Sequence, residues 1–256
     1  MQTNLNNLHG WWRMVLAADL NQDGRQDLVL GNIGDNFYLH PDSAHPVKIW
    51  INDFDQNNVL DKIMTHVENE RDLPIFLKHD MEAQLPSLKK QNLLHKDFAK
   101  KSIQELFPQS VLDASLVKKF DYTTSIIAIN QGNGQFLIKP LPDLIQLSSV
   151  HAGLAEDIDG DGKVDLILGG NDFNFTPQFG RLDASLCSVL MNKKNGSFEF
   201  LDSRHSGIQE TGQVRDIQAI TVKGKKYILI LQNDAYPVLY RKMDPSELVK
   251  EKYTRP

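Results

Sequence analysis

A chain of 256 residues with 41% hydrophobic and 24% charged side chains can bury the core of one large or two small domains. Its formal net charge is −5 and it has no Lys/Arg run, which argues against nucleic-acid binding. No apolar run approaches membrane-spanning length.

The N-terminal stretch MQTNLNNLHGWW lacks a signal peptide and leads almost directly into a strand, so the chain reads as a segment of something longer. Strand signals at Arg13–Leu20 and Asp27–Gly31 flank an acidic loop. Val47–Asn52 and Lys62–Val67 flank another, which fits either as a hairpin of the first unit or as the opening of the next. From about 79 to 119 glycine vanishes and the pattern turns helical, with Phe98, Ile103, Leu106 and Phe107 near one face and Pro86 and Pro108 as bounds. This predicts a helical insertion, 79–119, within one domain, 1–256. Its lysines (Lys89, Lys90, Lys96, Lys100, Lys101) read as a solvated face. Ser125–Asn130 and Phe136–Lys139 flank the turn NQGNGQ, a hairpin signal. Leu154–Glu156 and Asp165–Gly169 flank the last acidic loop, and Ser188–Asn192 and Ser197–Leu201 flank KKNG. Asp216–Val222, Tyr227–Gln232 and Val238–Arg241 are the remaining strands. The lone cysteine, Cys187, reads as a small buried hydrophobe. Trp11, Trp12 and Trp50 read as core, and Asn174 and Asn195 begin glycosylation sequons of little weight.

Two loops follow the pattern D-x-[DN]-x-D-G-x-x-D. The N-terminal loop offers Asp19, Asn21, Asp23 and Asp27, and the C-terminal loop offers Asp157, Asp159, Asp161 and Asp165. Alternating oxygen side chains over so short a span suit a hard cation taking six to eight oxygens, and calcium is the expected ion. Position six needs a left-handed turn, supplied by Gly24 and Gly162, and position seven offers the carbonyl of Arg25 or Lys163. An EF-hand would need a glutamate at position twelve, where Leu30 and Leu168 stand. The closing acid falls at position nine, followed by a buried strand. The middle loop keeps the offsets with Asp53, Asp55, Asn57, Val59 and Asp61, but Asn58 replaces glycine, and weaker binding is expected there. The three loops hold ten of the 33 acidic residues, so three divalent cations would bring the net charge to about +1.

The paired motifs Asp19–Gly31 and Asp157–Gly169, with the hairpins Ile127–Phe136 and Val189–Phe198, resemble the FG-GAP/VCBS repeat family of integrin-α-like β-propellers. The run from Gly10 to Gly34, the helical insertion and VRDIQAI resemble the C-terminal part of large bacterial VCBS-repeat surface proteins. The resemblance implies a mainly β fold of about three to four propeller blades with an α-helical insertion. Propellers of the family close with about seven blades, so this one is expected to be incomplete and to contact further blades of a longer chain or another copy. It also implies calcium in both glycine-bearing loops and an extracellular, cell-surface or periplasmic setting.

The function read from this is a calcium-stabilised, non-catalytic binding or scaffold module that recognises a protein or glycan at a propeller face, as in adhesion. The alternative is a carbohydrate-active hydrolase or lyase on the same scaffold. Its candidate groups are His66, Glu68, Glu70, Arg71, His79 and Asp80, or Asn171, Arg181 and Asp183. A concave pocket where two carboxylates, or a His and a carboxylate, converge would favour it.

Overall fold

The computed structural model describes residues 3–91, 94–176, 179–194 and 196–242. It is mainly β, with 42% strand and 16% helix. Strands β1 (Met14–Ala18) and β2 (Asp27–Gly31) flank the N-terminal loop, and β3 (Val47–Asn52) and β4 (Asp61–Glu68) flank the middle loop. Next come β5 (Arg71–Pro74) and the short helices α1 (Lys78–Gln84), α2 (Ser87–Gln91), α3 (His95–Phe98), α4 (Ile103–Leu106) and α5 (Gln109–Asp113). These lead to β6 (Leu116–Phe120), β7 (Ile126–Gly132) and β8 (Gln135–Pro140). Strands β9 (Val150–Glu156) and β10 (Asp165–Gly170) flank the C-terminal loop. The described chain ends with β11 (Ser188–Lys194), β12 (Ser197–Leu201), α6 (Ser203–Ser206), β13 (Gln213–Val222), β14 (Lys225–Asn233) and β15 (Val238–Arg241). Asn195 lies outside the described residues. Among the described residues no helix is long and apolar enough to cross a membrane.

Four antiparallel sheets result, none closed into a barrel: β1-β2-β7-β8, β12-β11-β10-β9, β13-β14-β15 and β5-β4-β3-β6. The chain divides into two compact units. The larger holds Trp12–Tyr38 and the chain from Thr124 onward; the smaller holds Asn7–Trp11 and Leu39–Thr123.

In the smaller unit the hairpin of the middle loop is not part of the sheet of β1 and β2 and opens the next one along the chain. It pairs with β5 and β6 in a sheet of its own. The predicted helices appear as α1–α5, but Leu116–Lys119, read as the end of the helical stretch, is strand. β6 pairs with β3, Lys118 opposite Ile49, and the ladder overrides the local pattern. The helices supply Met81, Leu85, Leu88, Phe98 and Ile103 to a core with Phe54 and Ile63 of the sheet side. Trp50 packs on that core and donates its indole N–H to Thr65 Oγ1 at 3.0 Å.

In the larger unit β10 is buried along its whole length, which explains its unbroken apolar run. Successive side chains point to opposite faces. Leu166 and Leu168 join Val29, Ile127, Ile129 and Leu190 in one core. Ile167 joins Val189, Val214, Ile217 and Ile230 in another. The sheet of β9–β12 therefore has an apolar layer on both faces, one shared with the sheet of β1, β2, β7 and β8 and one with the sheet of β13–β15. Full burial of each such side chain is worth about 1.5–3 kcal/mol. The first strands of these sheets are neighbours, β1 against β9 and β9 against β13. A Cβ on Gly31 would stand 2.4 Å from the carbonyl oxygen of Val150, so glycine is what lets β9 approach so closely.

Candidate functional site

The three acidic loops share one hydrogen-bond skeleton. The first acid accepts the N–H of position six: Gly24 to Asp19 at 2.9 Å, Asn58 to Asp53 at 2.8 Å, Gly162 to Asp157 at 3.0 Å. The ninth-position acid accepts the N–H of position two: Leu20 to Asp27 at 3.0 Å, Phe54 to Asp61 at 3.1 Å, Ile158 to Asp165 at 2.9 Å. These closing acids are 0%, 4% and 1% exposed, so a buried carboxylate ends each turn. Position six is left-handed in every copy, with φ of +83° at Gly24, +67° at Asn58 and +84° at Gly162. Asparagine thus makes the same turn as glycine. Position four is left-handed too (Gln22, Gln56, Gly160), a demand the motif did not reveal.

Carboxylates come together differently in the three copies. Asp53, Asp55 and Asp61 place oxygens within 4.8 Å of one another, and so do Asp157, Asp159 and Asp165. Either triad could hold a metal ion. The fit is to a hard cation, because every donor is oxygen. Asp55 Oδ1 is buried with no hydrogen-bond partner, and an ion there would satisfy it. At Asp165 burial raises the carboxyl pKa, against hydrogen bonds from Asn192 and Ile158, and the like charges of Asp159 and Asp161 add to the rise. A bound cation would relieve both causes.

The N-terminal loop forms no such triad. Asp23 is taken by Arg25, whose guanidinium lies 2.6 Å from Asp23 Oδ2 and also donates to the Asn130 carbonyl at 3.0 Å. The backbone N–H of Arg25, then the Asn21 side chain, hold the Asp23 carboxyl below the usual range. In the C-terminal loop Lys163 pairs with Asp161 in the same way and lowers its pKa. A cation at position seven thus occupies the position-five acid in both glycine-bearing copies. The middle loop, with Asn57 and Val59 there, has no such pair; the Val59 N–H donates to Asn57 Oδ1 at 2.7 Å. Expected to bind most weakly, this loop gathers its carboxylates as closely as the C-terminal one.

Two asparagines that sequence reasoning passed over tie loops to sheets. Asn130 and Asn192 donate their backbone N–H to Asp27 Oδ1 and Asp165 Oδ1 at 2.7 and 2.8 Å. Their side chains donate to the carbonyls of Gln26 and Val164. The signal was present, since both stand at the same place in the hairpins IAINQGNG and VLMNKKNG. Asn192 also donates to the Leu20 carbonyl at 2.9 Å, and Gln22 to the Gly162 carbonyl at 2.7 Å. The N-terminal and C-terminal loops are therefore neighbours.

A second constellation lies at the starts of the first strands. Arg13 and His151 stand at the same offset before Asp19 and Asp157. His151 is the extra residue of a bulge: Ala152 pairs with Gly169 and Val150 with Gly170. Arg215 is the extra residue of another, between the pairs Val214–Gln232 and Asp216–Leu231. Bulges re-aim side chains, and these two meet, Arg215 Nη1 lying 2.6 Å from His151 Nδ1. Arg215 also donates to Gln213 Oε1 at 2.7 Å. Arg13 donates to Asp172 Oδ2 at 3.1 Å. Burial, then Arg215 and Arg13, lower the His151 pKa to about 4, only partly opposed by Asp172. The neutral ring accepts from Arg215 at Nδ1, so its proton sits on Nε2, 3.0 Å from Ser149 Oγ.

No protein-family model and no curated protein matches this chain.

A serine, a histidine and a carboxylate thus converge, but not as a catalytic triad. That chemistry needs a carboxylate on Nδ1 opposite the serine. Here Nδ1 faces a cation, Asp172 lies 3.9 Å from Nε2 itself, and Ser149 is 1% exposed. Of the other catalytic candidates, Glu68 stands opposite Arg71 across β4 and β5, and His66 opposite Leu73. His79 and Asp80 are surface neighbours on α1, and Arg71 pairs with Glu105. Arg181 and Asp183 form an exposed ion pair at 3.4 Å, while buried Asn171 donates to the carbonyls of Ser185, Thr211 and Gly212. Cys187 is buried, as read, and its thiol is pushed up to about 12 by burial first and Glu210 second.

Proposed function

We propose that the chain is a calcium-stabilised, non-catalytic binding module built of β-propeller blades of the FG-GAP/VCBS type. The observation that carries this reading is the repeated acidic turn, with one hydrogen-bond skeleton in three copies and carboxylate triads in two. Asp53, Asp55 and Asp61 would hold one ion, and Asp157, Asp159 and Asp165 another. Calcium there would neutralise carboxylates that burial disfavours and so stiffen the turn between two strands.

The blade reading is supported by the two four-stranded meanders stacked through apolar layers, with β1, β9 and β13 as successive inner strands. The sheet of β13–β15 continues the stack. Leu239 on β15 is 51% exposed and shares a face with Leu229, which is where a further blade, of this chain or another copy, would pack. Oxygen-only loops of this simplicity suit millimolar calcium, hence a cell-surface or periplasmic setting. The ligand would be a protein or glycan.

Scanning calorimetry in calcium and in EDTA, with glycan-array binding under both conditions, tests the reading. A midpoint that rises with calcium and saturates, and binding lost with chelator, are expected. Equal midpoints in the two buffers would remove the metal from the account.

A further inference from the structure

We propose that the cluster of Arg13, His151, Asp172 and Arg215 is a carboxylate-binding site. The inference rests on the binding-module reading for the expectation of a ligand and names that ligand's chemistry. It is independent of the acidic loops.

Three first strands each bring one nitrogen-bearing side chain to the same place: Arg13 just before β1, His151 on β9 and Arg215 on β13. Two of them are aimed there by bulges. A regular ladder would turn each residue to the other face of its sheet, so the backbone is bent at both points to assemble the group.

The charges do not balance. Arg13 is matched by Asp172 at 3.1 Å. Among the described residues Arg215 makes no ion pair; its partners are two neutral acceptors, His151 Nδ1 and Gln213 Oε1. His151 cannot supply an anion, and Arg215 cannot lose its proton. Among the described residues the Arg215 charge is therefore unmatched, at a half-buried position. The Arg13 side chain is 25% exposed, so the group reaches solvent.

The size of the surplus selects the ligand. A single negative charge neutralises it. A phosphate dianion would overshoot it. A planar carboxylate also fits the guanidinium fork, which favours two parallel hydrogen bonds. Gln213 and His151 hold the Arg215 guanidinium in place, so little side-chain entropy is lost on binding.

Calorimetric titration of the whole chain with glucuronate, glycylglycine, glucose and inorganic phosphate tests the assignment, in calcium and in EDTA. Saturable binding of glucuronate or of glycylglycine is expected, and which of the two binds separates a sugar acid from a peptide terminus. Glucose should not bind, and phosphate should bind more weakly. Arg215→Gln should weaken the carboxylate at least tenfold, and Arg215→Lys, which keeps the charge and loses the fork, by less. The His151 ring resonances of the unmodified chain should shift on adding the carboxylate, which needs no variant. Absence of saturable carboxylate binding at millimolar concentration overturns the site, as does binding that Arg215→Gln leaves unchanged. Tighter binding of phosphate overturns its chemistry. A calcium-dependent midpoint without carboxylate binding sinks this inference alone, whereas carboxylate binding with no calcium effect sinks the metal reading alone.

Discussion

Asp165 and Asn192 hold each other from both sides. The Asp165 carboxylate accepts the Asn192 N–H at 2.8 Å, and the Asn192 side chain donates to the carbonyl of Val164, next to Asp165, at 2.9 Å. Because Asp165 also accepts from Ile158 at 2.9 Å, one carboxylate joins the turn to the third strand of its sheet. Asp27 and Asn130 repeat the arrangement. The closing acid is thus structural before any ion is considered.

Asn192→Ala should therefore destabilise the fold by about 1–3 kcal/mol, since it strands the carbonyls of Val164 and Leu20 in a buried setting. Asn130→Ala should cost less, because its side-chain bond to Gln26 is exposed. Urea unfolding of both variants measures this. A change at Asn192 below about 0.5 kcal/mol would show that the link does not matter.

Calcium should stabilise the fold by mass action, by about 2.7 kcal/mol per site at a hundredfold excess over Kd, and so raise the unfolding midpoint. The geometry ranks the ligands. Asp159→Ala and Asp55→Ala each remove a triad member and should each abolish one site. Asp23→Ala should change the calcium response less, because Asp23 is paired with Arg25. Melting curves of the three variants across a calcium series decide; a larger loss with Asp23→Ala would reverse the ranking.

Much of this was legible in the sequence, and the reasons differ by feature. The apolar runs in LVLGN and LILGGN report burial directly, so β2 and β10 were found within a residue or two. Gly24 and Gly162 announce their turns because few other residues accept their φ. Leu116–Lys119 misled because LVKK carries no local signal to outweigh the helices before it, and its state is decided by pairing with β3. The Arg13–His151–Arg215 group was invisible because a bulge leaves no mark in composition, although Arg13 and His151 share an offset from Asp19 and Asp157. Asp23 and Asp161 read as ligands on a par with their neighbours, since a motif shows spacing but not that Arg25 or Lys163 folds back on them.

Lys163→Met should tighten calcium binding at the C-terminal loop several-fold. Lys163 pairs with Asp161, so a cation recruiting Asp161 must break that pair and approach a positive charge. The pair lies at the surface, where solvent screens it, which limits the gain to a few-fold. Calorimetric titration of the variant checks it. Unchanged affinity would mean that Asp161 takes no part in the site.

Stability should fall on acidification between about pH 6.5 and 4 because of His151. Burial, Arg215 and Arg13 hold its pKa at about 4 in the fold, against 6.5 in the unfolded chain. Between those values the unfolded chain binds a proton that the folded one does not, so unfolding takes up protons and is favoured as pH drops. The contribution is fully present above pH 6.5 and is lost as pH falls toward the folded value. With the side chain only 10% exposed, the loss can reach about 3 kcal/mol, at 1.36 kcal/mol per unit. His151→Gln keeps a neutral acceptor for Arg215 and removes the titration, so its stability should vary less over this range. Parallel urea midpoints at pH 7, 5.5 and 4.5 measure the difference, and identical slopes for the two proteins would mean that His151 takes its proton freely in the fold.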